Sequence, residues 1–129
     1  MASTRQIKIE QATRHVIATV DELGPGQRKI VTIGRREIGV FNIEGAYFAL
    51  RNVCPHKGAP LCKGLQRPLI TASGVNQVAY AREGEIIKCP WHLWEFDIKT
   101  GRALHDDAVG VRSYAVQVEG DDVVVYTEQ

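Results

Sequence analysis

Two short stretches constrain this chain more than any other feature: NVCPHKGAPL, from Asn52 to Leu61, and CPWHLWEF, from Cys89 to Phe96. Each holds one Cys and one His two or three residues apart, and in each a proline follows the cysteine. The chain has only three cysteines and four histidines, yet two of each fall into these matched positions, with 32 residues between His56 and Cys89. Proline fixes its own φ, removes a backbone donor and pushes the preceding residue toward extended geometry. Both stretches therefore leave their strands as restrained loops that present side chains at little entropic cost.

The rest of the chain reads as mostly β. Short apolar alternations recur between turn residues, and helical periodicity is scarce. Arg36 to Ile43 and Ala46 to Leu50 flank Glu44-Gly45 as a hairpin would. Val75 to Ala81 and Glu85 to Cys89 read as a second pair, flanking a turn at Gly84. Ser113 to Glu119 places Tyr114, Val116 and Val118 on one face. Gly120-Asp121 then turns the chain into Asp122 to Tyr126, a β-branched run suited to a buried or closing strand. A further turn falls at Lys99 to Gly101. The segment Ile9 to Leu23 fits a strand or a helix face; β-branched residues favour a strand over Val16 to Val20, ended by Gly24-Pro25-Gly26.

With 129 residues, 44% hydrophobic and 24% charged, one domain covering residues 1–129 is expected. A formal charge of +1, from 16 basic and 15 acidic residues, gives no electrostatic reason to expect nucleic acid or an anionic membrane as partner. Neither a secretory signal nor an apolar run of membrane-spanning length is visible, so the expected location is the cytoplasm. In a reducing compartment, close Cys/His pairs point to metal before cystine.

The candidate ligands are Cys54, His56, Cys89 and His92. Two thiolates and two imidazoles suit either tetrahedral Zn²⁺ or an iron-sulfur centre in which histidines replace cysteines on one iron. Structural zinc sites usually build each half from two like ligands, whereas here each half is mixed and the first is a tight C-x-H. The run C-x-H followed by C-x-x-H resembles the Rieske iron-sulfur family. The resemblance extends to Gly58, Ala59, Pro60 and Leu61 in the first loop and to Phe96, Asp97, Thr100 and Gly101 after the second.

That resemblance implies an all-β fold of antiparallel sheets with a cluster-binding subdomain, about residues 52–97, formed by the two loops. It implies a [2Fe-2S] cluster with Cys54 and Cys89 on the buried iron and His56 and His92 on the outer one. An oxidised core of charge +2 with two thiolates and two neutral imidazoles is neutral, and reduction makes it −1. Histidine ligation sets a potential of roughly −150 to +300 mV. High-potential relatives carry a loop disulfide and hydroxyl groups near the cluster. Here Trp91 stands where the second-loop cysteine would, and Trp94 and Phe96 where the hydroxyls would, so a low-end potential is expected.

The implied activity is a one-electron carrier that takes electrons from a flavin-dependent reductase and passes them to a terminal oxygenase, as in ring-hydroxylating dioxygenase systems. No flavin site, nicotinamide fingerprint or oxygen-activating iron is visible, so catalysis is assigned to the partner. Two rivals remain at this level: a small subunit of a nitrite-reductase-like complex, and a zinc-stabilised interaction module. Cys62 reads as a packed free thiol. Trp94 reads as packing, while Trp91 and Leu93 fit either a water-excluding cover or a docking collar. Leu93 stands where many relatives have Gly. His105-Asp106-Asp107 reads as a solvated turn. Lys57 and Lys63 fit an acidic partner surface as well as plain solvation. Gln66 to Glu83 reads as an added excursion, a hairpin turning at Ser73-Gly74.

Overall fold

The structure is a computed structural model that describes residues 12–55, 58–72, 78–90, 94–106 and 108–127. Among the described residues nine strands follow one another: β1 (Thr13–Thr19), β2 (Arg28–Ile33), β3 (Arg36–Ile43), β4 (Ala46–Arg51), β5 (Leu65–Ala72), β6 (Val78–Lys88), β7 (Glu95–Asp97), β8 (Ser113–Glu119) and β9 (Asp122–Thr127). Among the described residues the only helical element is a single 3-10 turn at Leu61–Lys63. Six strands form one sheet in the order β1-β9-β8-β4-β3-β2, and β5-β6-β7 form a second. Every pairing is antiparallel. The fold is the all-β antiparallel class that the sequence pattern predicts.

Strand β3 shows how the large sheet divides the core. It is buried from Ile38 through Ile43, and its side chains alternate between two apolar clusters as a pleated strand requires. Ile38 and Val40 join Ala18, Leu23, Ala49, Tyr114, Val123 and Val125 on one face. Phe41 and Ile43 face the other way, where Leu50, Ile87, Phe96 and Ile98 join residues of both Cys-Pro loops. The second cluster is the floor on which the loops rest.

Several turns follow from local chemistry. Glu44 and Gly45 both have positive φ (54° and 94°), the geometry a two-residue hairpin needs to match strand twist. The Ile43↔Ala46 pairing closes on them. In the turn from β8 to β9 Gly120 alone takes positive φ (62°). The first described segment is a strand, as its β-branched residues favour, though it begins at Thr13 and precedes the expected start. Val118 is 48% exposed, so the apolar face of β8 ends at Val116.

One expected turn is absent. Gly84 does not reverse the chain; it lies inside the single strand β6, with φ 73°. Arg67 pairs with Ile86 and Leu69 with Ala81, so the residues between Ala81 and Ile86 bulge out of the ladder opposite Pro68. Proline has no N–H to give a ladder, and glycine accepts the left-handed backbone that a bulge demands. The Gln66 amide donates to the Gly84 carbonyl (2.9 Å) and fixes the kink. The excursion between the loops is the β5–β6 hairpin, whose last described pair is Ala72↔Val78; its expected turn at Ser73-Gly74 lies outside the described residues. Strand β2, a half-exposed edge strand, had no counterpart in the sequence reading.

Gly39 on β3 faces Cys62, and a Cβ there would stand 2.5 Å from both Cβ and Sγ of that residue. Gly39→Ala is expected to destabilise the protein by about 1–3 kcal/mol through overpacking. Chemical denaturation checks this: the midpoint should fall at unchanged slope, and a midpoint equal to wild type would contradict the packing described.

Candidate cluster site

Each Cys-Pro loop is closed by its own backbone. In the first, the Cys54 N–H donates to the Ala59 carbonyl and the Gly58 N–H donates back to the Cys54 carbonyl, both at 2.8 Å. Gly58 takes the positive φ (74°) this tight return requires. In the second, the Cys89 N–H donates to the Trp94 carbonyl at 2.9 Å. His56 falls in sequence inside the first closed turn and His92 inside the second. Both lie outside the described residues, as do Lys57, Trp91, Leu93 and Asp107.

The loops are anchored to each other. Gly64 ends the 3-10 turn, and a Cβ on it would stand 1.9 Å from the Lys88 carbonyl oxygen, one residue before Cys89. Leu65 then pairs with Lys88, so the exit of the first loop and the entry of the second share one strand pair. Arg28 reaches from β2 to donate to the Gly64 carbonyl (2.6 Å). On the other side Asn52, buried, braces the first loop. Its side-chain oxygen accepts the Cys62 N–H (2.7 Å), its amide donates to Glu37 Oε1 (3.1 Å), and its N–H donates to the Glu37 carbonyl (2.8 Å). Nothing in the sequence marks Asn52 or Gly64 beyond their nearness to the motif, because each acts through a partner distant along the chain.

Cys54 and Cys89 are both buried, in the cluster that holds Ala59, Leu61, Phe96 and Ile98, and neither is in a disulfide. Two soft thiol donors brought to one apolar pocket by closed loops fit a thiolate-ligated metal cluster. A disulfide framework does not fit. Phe96 is fully buried, and Trp94 packs half-buried above it, ring centroids 6.3 Å apart. The packing role expected of Trp94 is borne out, and its carbonyl serves the second loop as well. His105 is exposed but not merely solvated: its ring meets Trp94 edge-on at 4.6 Å. His15, on β1, bonds Thr127 Oγ1 through Nε2 (2.9 Å) and stands apart from the loops.

Cys62 is a packed thiol. It is fully buried, its Sγ lies 3.5 Å from the Leu50 carbonyl, and burial pushes its pKa up to about 12. The folded protein thus keeps a proton that the unfolded chain releases at the ordinary value near 9.0. Its stabilising effect is complete below pH 9 and is lost as pH rises toward about 12. Stability should therefore fall more steeply across that window in wild type than in Cys62→Ala, by denaturation at stepped pH. Equal slopes would contradict the burial of a neutral thiol.

An antiparallel β protein with two mutually braced, thiol-bearing loops has the form of a metal-binding domain. The chain belongs to the Rieske [2Fe-2S] domain family, whose sequence model matches residues 13–115. It is 30% identical to the ferredoxin component of a naphthalene 1,2-dioxygenase system from Pseudomonas aeruginosa, over 81% of this chain and 86% of that one. It is 25% identical to the ferredoxin component of an alkene monooxygenase system from Xanthobacter autotrophicus, over 87% of this chain and 80% of that one. Among solved structures, the ferredoxin of carbazole 1,9a-dioxygenase from Nocardioides aromaticivorans superposes with a TM-score of 0.70 at 26% identity, covering 91% of this chain and 99% of that chain. Membership decides between the two inorganic centres left open by the donor set: the cofactor is a Rieske-type [2Fe-2S] cluster.

Proposed function

We propose that this chain is the ferredoxin component of an oxygenase system, a one-electron carrier between a flavin-dependent reductase and a terminal oxygenase. The observation that carries the reading is end-to-end likeness to ferredoxin components: relatives named as such cover more than four-fifths of this chain, and the carbazole dioxygenase ferredoxin is covered over 99% of its length. In this reading residues 1–129 form one domain, and about 52–97 act as the cluster-binding subdomain. Cys54 and Cys89 hold the inner iron, and His56 and His92 the outer iron. Catalysis belongs to the partner oxygenase. Three cysteines outside any disulfide fit a reducing compartment, the cytoplasm.

The cluster, when bound, supplies the one-electron couple; the chain's own residues set where it lies and at what potential. Cys54 and Cys89 sit in an apolar cluster with Ala59, Leu61, Phe96 and Ile98, and Trp94 and Phe96 stand at the positions where hydroxyl side chains would supply donors. Reduction adds one negative charge, which apolar side chains stabilise less than hydroxyl donors would. The potential therefore falls toward the low end of the histidine-ligated window of roughly −150 to +300 mV. The backbone hydrogen bonds that close each loop restrain its movement when one charge is added.

A redox titration of the purified protein should give a midpoint in the lower part of that window. His56→Cys and His92→Cys should each lower it further if a cluster still assembles. A strongly positive midpoint would contradict the apolar setting, and an unchanged midpoint in either variant would remove that histidine from iron.

A further inference from the structure

Several acidic side chains gather at one end of the strands. At this end lie Asp21, Glu22, Glu44, Asp121 and Asp122. Three contacts gather these turns: the Val20 N–H donates to the Asp121 carbonyl, and the Asn42 amide and Tyr47 hydroxyl both reach the Leu23 carbonyl. At the other end β2 turns into β3 through Gly34 and Arg35, and Ile38 pairs with Arg51 where β4 runs out toward Cys54. Strand β3, eight residues from Arg36 to Ile43, separates the two ends by about 24 Å. The formal charge of +1 thus hides an acidic pole and a basic flank beside the first ligand loop, where Arg35, Arg51 and Lys63 are exposed and Arg36 half-exposed.

A cleft of about 420 Å³ opens beside Arg35 and Arg36, on the face of β3 that carries Ile38 and Val40, lined by these two arginines and by Thr13, His15, Ile33 and Thr127. Among the described residues neither arginine forms an ion pair, in contrast to Arg14, which pairs with Glu119, and Lys99, which pairs with Glu85. The acidic group nearest in sequence is Glu37, which points its carboxylate at the Asn52 amide (3.1 Å). Its carbonyl accepts the Asn52 N–H, and Cys54 follows two residues later. One peptide step, one strand-pair spacing and two residues put the Arg36 backbone no more than about 16 Å from that of Cys54. Beyond the second loop the charges are mixed: Glu95 and Asp106 stand with Lys88, Lys99 and Arg102.

We propose that this cleft, with Arg35 and Arg36 at its rim, is a docking point for an acidic surface of the redox partner. The inference rests on the carrier function proposed above. Two guanidinium groups at a concave rim pair carboxylates in bidentate fashion, and the acidic pole behind them turns the basic flank toward a negative partner. Docking there holds the partner within about 16 Å, backbone to backbone, of the first loop's Cys54.

The test uses the holoprotein, reduced, and follows its oxidation by the anion ferricyanide in stopped flow, from about 20 to 500 mM salt. The wild-type rate should fall several-fold across that range. Arg35→Gln/Arg36→Gln should be at least about threefold slower at low salt and flatter with salt. Gln117→Glu/Ala46→Glu, which changes net charge equally at exposed sites elsewhere, should behave as wild type. Hexaglutamate should slow the wild-type reaction at low salt and leave the arginine variant unaffected. If the arginine variant matches wild type, or if both variants slow alike, the docking point is overturned. The midpoint potential and EPR signal of every variant report the carrier function separately. A colourless wild-type protein would sink the carrier reading, whereas intact clusters with equal rates would sink only the docking point.

Discussion

The contact between Gly64 and Lys88 is the constraint on which the site depends. No side chain fits between that Cα and the opposing carbonyl, so the backbone leaving the first loop lies directly on the backbone entering the second. The Leu65↔Lys88 pairing then continues the contact as a sheet. Four donors divided between distant segments can serve one inorganic centre only if their loops are held in fixed relation. Here that relation is made by main chain, which has less freedom to relax than side chains do.

The remaining structure supports this junction from two sides. Asn52 ties the first loop to β3 through three hydrogen bonds, and Arg28 ties the 3-10 turn to β2. Below, Phe41, Leu50, Ile87 and Phe96 form an apolar floor shared by both sheets. Cys62 fills the space left by Gly39, so a position that looks like a spare ligand is a packing element instead. The same floor that stabilises the loops surrounds Cys54 and Cys89 with apolar side chains.

Local chemistry made much of this legible in sequence. Glu44-Gly45 and Gly120-Asp121 announce their hairpins because only a few residue types accept positive φ, and the mixed Cys/His spacing singles out the ligand loops. What stayed hidden depends on distant partners. Gly84 reads locally as a turn, yet it is a bulge because both halves of β6 find the same partner, β5, across Pro68. Asn52 braces Cys62 and Glu37, and His105 meets Trp94, through proximity that no periodicity encodes. Strand β2 has only a half-buried pattern, since an edge strand presents one side to solvent.

The central claim is that two thiols, buried and braced, share one [2Fe-2S] cluster with His56 and His92. Electron-nuclear double resonance on the dithionite-reduced protein tests it most directly. The account predicts a rhombic EPR signal carrying two distinct ¹⁴N couplings, one of which disappears in His56→Cys and the other in His92→Cys. A colourless protein holding stoichiometric zinc, or a cluster signal without nitrogen coupling, would contradict it.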